Sequence, residues 1–157
     1  MIRFMPAVGI ALASFAASGT CATQLDLSPI QHRFVEMSVE AERLHIRNVV
    51  QWQAFWRRFV ATSAPDIDFS KNDVIVVLMG NQGSSGFSIR ILDVDSKPHG
   101  TRIRVLDCRP SRWTLGFEET SYLAVITSPY DVKLIPKLTT PIKWVTIKGQ
   151  TGKTPCR

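Results

Sequence analysis

The chain predicts an α+β fold, a mostly antiparallel sheet packed against one amphipathic helix, and three stretches carry that reading. An unbroken apolar run, Val74 to Met79, meets a turn holding Gly80, Gly83 and Gly86, and then an alternating segment with Phe87, Ile89 and Ile91 on one face. A buried strand, a glycine-rich tip and a half-buried strand give that order. In Val50 to Ala61 the period changes: Trp52, Phe55, Trp56, Phe59 and Val60 recur at helical spacing while Gln53, Arg57 and Arg58 face away. Each aromatic buried there is worth roughly 1.5 to 3 kcal/mol, enough for one helix to anchor a sheet. Finally, Ser88 to Val94 and Thr101 to Cys108 flank a turn at Ser96 to Gly100 that contains Lys97-Pro98-His99-Gly100, a hairpin signature.

Taken in order, residues 1–22 read as an export signal. Arg3 is the positive start, Ala7 to Ala17 an uncharged core too short to span a bilayer, and Thr20-Cys21-Ala22 a small-residue site with cleavage after Ala22. The alternative is a lipoprotein acylated at Cys21, which Ser18-Gly19-Thr20 fits less well. Residues 23–157 then form a single domain, periplasmic or secreted, with no transmembrane span. Thr23 to Ser28 is a lead-in, a strand is expected around Arg33 to Val39, and Leu44 and Ile46 alternate with Arg43, His45 and Arg47 as a half-exposed strand. Pro65 and Asp66-Ile67-Asp68 end the helix. Beyond the hairpin, Arg109 to Thr120 has no clear period. Tyr122 to Thr127, Asp131 to Ile135 and Ile142 to Ile147 read as strands separated by Pro129, Pro136 and Pro141, which places the last strands near an edge.

Charge and cysteines bound the function. Loss of Arg3 with the signal lowers the net charge only from +6 to +5. If Ile89, Ile103, Val105, Val132 and Leu134 face the core, the period of two places Arg43, Arg47, Arg90, Arg102, Arg104 and Lys133 together on the opposite face. Such a basic face suits an anionic envelope polymer or an acidic protein, and export argues against nucleic acid. The plainer alternative is a solvated face partly neutralised by Asp93, Asp95 and Asp107. Cys108 and Cys156 remain in an oxidising space, where a bond between them would stabilise the fold by roughly 4 kcal/mol; the competing reading is two inert thiols.

No catalytic, metal or cofactor constellation is read. Gly83-Ser84-Ser85-Gly86 lacks the spacing and the strand-to-helix setting of a nucleophile elbow, and Gly152-Lys153-Thr154 lacks the first glycine of a phosphate loop, since residue 147 is Ile. His32, His45 and His99 show no metal-ligand spacing. Cys108 as a nucleophile would need a base, and Glu118-Glu119 would diverge in a strand. The tip is instead a candidate recognition loop, presenting its own N–H groups and Asn81, Gln82, Ser84 and Ser85 beside Phe87. Arg112 and Trp113 form a second candidate anchor, or Trp113 caps the core.

In Asp68-Phe69-Ser70, then Gly80 to Ile91, then Thr127-Ser128-Pro129-Tyr130, the chain resembles the PrcB family of protease-complex accessory subunits. That family's pattern is a D-F lead-in, a Gly-x-x-x-Thr-Gly-Gly-Tyr-Ser-Ile tip and a later T-x-P-Y segment. Gly80, Gly86, Ser88 and Ile89 match it; Ser84 stands for Thr, Phe87 for Tyr, and Ser85 replaces a glycine. The likeness covers roughly Leu44 to Pro136. It implies a non-enzymatic, exported domain that associates with and stabilises an envelope protease. A protease inhibitor, a polymer binder and a hydrolase are the rival expectations.

Overall fold

A computed structural model describes residues 23–24 (backbone only), 39–59, 61–110 and 122–156. The elements are β1 (Thr23–Gln24), β2 (Ala41–Ile46), α1 (Val49–Arg57), β3 (Asn72–Met79), β4 (Ser88–Lys97), β5 (Gly100–Arg109), β6 (Tyr130–Pro136) and β7 (Ile142–Gln150). The α+β class stands, mostly sheet with one short helix. The expected strand around Arg33 to Val39 lies outside the described residues except at Val39, which is buried.

Helix α1 starts where the sequence supplies a cap. Asn48 is extended, and its Oδ1 accepts from Gln51 N–H at 2.9 Å while Gln51 Oε1 accepts from Arg47 N–H at 2.8 Å, a reciprocal N-terminal lock. It ends in tightened turns, Arg58 N–H to Phe55 O and Phe59 N–H to Trp56 O. Trp52, Phe55, Trp56 and Phe59 are buried, and Trp52 Nε1 donates to Pro65 O at 2.9 Å, which folds the following segment back over the helix.

The strands form two sheets. One has the order β1-β6-β3-β2, all antiparallel; the other is β4-β5-β7, with β5 and β7 parallel. Three layers result. Val74, Val76 and Leu78 of β3 pack with the helix aromatics, whereas Ile75, Val77 and Met79 pack with Ile89, Ile91, Ile103 and Val105 of the second sheet. Strand β3 is therefore buried on both faces, which is why its sequence is continuously apolar instead of alternating. The β4–β5 hairpin closes through Pro98-His99, and an irregularity between Ile91 and Asp93 leaves Leu92 half out in solvent.

Three expectations need correction. Residues 122–126 are not strand: one antiparallel bridge, Gln82 to Thr127, is the only pairing there among the described residues. The irregular tip loop supplies their partners, so no ladder propagates. Of the two last strands, β7 is an edge but β6 sits between β1 and β3. The sheet is also not one but two, which redistributes the basic residues.

Candidate partner-binding surface

Strand β3 leaves the core through Gly80, at φ +77°, where a side chain would meet Ala41 N at 3.1 Å and Val39 O at 3.3 Å. Only glycine fits that turn without strain. From there the tip bonds inward. Asn81 Oδ1 accepts from Val39 N–H at 3.1 Å and from Ser128 Oγ at 2.7 Å, and Gln82 Nε2 donates to Met79 O at 3.1 Å. Gln82 and Thr127 exchange main-chain bonds at 2.7 and 2.9 Å. Ser84 O accepts from Thr127 Oγ1, while Ser85 grips Leu123 twice, N–H to O and Oγ from N–H, both at 3.0 Å. Gly86 is buried under Tyr122, whose ring lies 2.8 Å from where a Cβ would stand.

The polar side chains that sequence reasoning offers to a partner are thus largely engaged within the fold. Phe87 is half-buried and packs against the inter-sheet core. Arg112 and Trp113 lie outside the described residues. The clamp instead holds out apolar groups that sequence reasoning missed: Leu123, Val125 and Ile126 are 72%, 45% and 59% exposed. The signal was present as the run Leu-Ala-Val-Ile at 123–126, but such a run reads as buried strand. Exposed apolar side chains grouped in this way make the segment the candidate contact surface.

The basic residues do not share one face. Arg43, Arg47 and Lys133 belong to the first sheet or follow it, and Arg43 and Lys133 reach toward the second: Arg43 Nη2 donates to Thr146 Oγ1 and Lys133 Nζ to Ile91 O. Arg90, Arg102 and Arg104 lie on the second sheet's outer face, opposite Ile89, Ile103 and Val105. Arg104 is bidentate to Asp93, and that hydrogen-bonded charge raises its pKa. Stacking a second sheet on the first, which a period of two does not encode, separates the two groups.

Elsewhere the charges are structural. Asp73 is fully buried; burial works against its charge, but Leu138 N–H, His45 Nε2 at 2.8 Å and Lys137 outweigh it and hold the carboxyl below the usual range. Asp107 is bidentate to Arg109 at 2.9 Å on both arms. Cys108 and Cys156 stand at disulfide distance with Cα atoms 5.8 Å apart. Among the described residues no three His, Cys, Asp or Glu side chains converge as metal ligands, and no helix is long and apolar enough to cross a membrane. No family model, no curated protein and no solved structure matches the chain.

Proposed function

We propose that this chain is an exported, non-catalytic binding module, an accessory subunit that holds and stabilises a protein of the cell envelope, specifically a protease. The exposed trio Leu123, Val125 and Ile126, fixed by the Gly80–Gly86 clamp, carries the binding half of the reading. Apolar side chains on a pre-ordered segment lose little entropy on docking. The PrcB-like motifs of the tip and of Thr127 to Tyr130 support the protease half. The test is recovery of partners from the native envelope with tagged full-length chain, comparing wild type with a Leu123→Asp/Ile126→Asp double variant. Loss of a specific partner, at an unchanged melting temperature, is expected; identical recovery would overturn the surface. Proteolysis by the recovered partner, with and without the domain, separates stabiliser from inhibitor by sign.

A second reading, capture of an anionic envelope polymer, is favoured by Arg90, Arg102 and Lys143, which have no ion pair among the described residues. Binding that collapses as salt rises would select it.

A further inference from the structure

The two sheets meet along two seams that are closed in different ways. Between β6 and β4, side chains of β6 satisfy main-chain groups on the β4 edge: Ile91 N–H donates to Asp131 Oδ2 at 2.7 Å, and Lys133 Nζ donates to Ile91 O at 2.5 Å. Between β2 and β7, one side chain makes the crossing. Arg43 Nη2 donates to Thr146 Oγ1 at 2.6 Å, and the guanidinium lies 5.8 Å from the Trp144 ring centroid. Both strands end their sheets, so each has a main-chain edge with no strand beside it among the described residues. Such an edge is a template for extended chain.

Charge selects what would lie there. Arg43, Arg47, Lys143 and Lys148 are exposed on or just after these strands and have no carboxylate within ion-pairing distance among the described residues, whereas Arg104 and Arg109 on β5 are each held by an aspartate. With Glu42 of β2 already held by Arg58, these unpaired cations disfavour a second copy of the same edge and attract a strand that carries carboxylates. Beside Arg43 a cleft of about 420 Å³ opens, lined by Leu78, Met79 and Ile89, with room for an apolar side chain, and by Glu42 and Asp107, whose charges are taken up by Arg58 and Arg109. Lys148 is two residues beyond Thr146 and so on the same face of β7.

We propose that the seam between β2 and β7 takes an extended acidic segment of the bound protein, which adds a strand to β7 and turns its carboxylates toward Arg43 and Lys148. Strand β7 is the template because it runs nine residues against six in β2. The inference rests on the binding-module reading above and adds the chemistry of the partner. Its probe is a short capped peptide alternating glutamate and valine, titrated into the full chain and followed by anisotropy. Binding is expected to weaken about tenfold in Arg43→Gln/Lys148→Gln, to be unchanged in Arg90→Gln/Arg102→Gln, and to be lost when alternate valines become proline. Equal affinity for the proline peptide, equal affinity in the Arg43/Lys148 variant, or no binding at all would each overturn it. Envelope recovery with that same variant separates the two readings: a partner retained by it but lost by the Leu123/Ile126 variant sinks the seam and leaves the binding module standing.

Discussion

Asp73 shows how one residue can anchor the fold. Its carboxylate is inaccessible to water and is satisfied by the Leu138 amide at 3.0 Å, His45 at 2.8 Å and Lys137 at 3.4 Å. Removing the carboxylate strands the Leu138 N–H, the His45 ring nitrogen and the Lys137 ammonium, so Asp73→Ala should cost about 3 kcal/mol in urea unfolding at neutral pH. The pH dependence has a definite sign. Because the folded carboxyl titrates below its ordinary value, its contribution is complete above about pH 3.9, the unfolded value, and disappears as pH falls through the folded one. The gap between wild type and Asp73→Ala should therefore be constant from neutrality to about pH 5 and close below about pH 4. A gap that widened on acidification would contradict the arrangement. Nothing local in the sequence marks Asp73 in this way, since His45, Lys137 and Leu138 reach it across 28 to 65 residues.

At the scale of an element, the Gly80–Gly86 tip is a clamp, and Asn81 is its pivot. One amide oxygen receives both Val39 N–H and Ser128 Oγ, tying the chain before β2 to the chain before β6. Asn81→Ala leaves both donors without that acceptor and should cost about 2 kcal/mol. Hydrogen exchange localises the effect: the amides of Val39, Leu123 and Thr127 should lose protection while those of β5 and β7 keep theirs. Uniform loss would mean the tip is part of the global core. The helix, the β3 strand and the hairpin were legible because each is dictated locally, by an apolar period, an unbroken apolar run or a turn sequence. The clamp was not, because polar loop residues look alike whether they face a partner or their own fold. Residues 122–126 were misread for the complementary reason: an apolar run signals burial, and only the three-dimensional course shows that Leu123, Val125 and Ile126 stay outside.

For the whole molecule, the three layers leave the outer face of the second sheet without a further layer among the described residues, and the C-terminal tail covers part of it. Cys156 comes to rest on Cys108 and Leu106, and Ile147 packs against the same small cluster. The approach is so close that a Cβ at Gly149, the register partner of Cys108, would overlap the Cys156 sulfur. Thr151 Oγ1 then donates to Gly86 O at 2.6 Å, which joins this tail to the tip clamp. The alternation of β5 gave no hint of that cover, since inward and outward residues can be told apart by period but not assigned to one core or another. Closing a loop of 48 residues restricts the unfolded chain, so Cys108→Ser/Cys156→Ser should lose roughly 4 kcal/mol relative to the oxidised protein. Reduction of the wild type should reproduce most of that loss and lower the urea midpoint. If the tail also steadies the tip, the same variant should expose Gly86 and Tyr122 to faster exchange before any global unfolding. A midpoint that ignored both the reductant and the substitutions would show the tail held by packing alone, and would detach the clamp's rigidity from the cysteine pair.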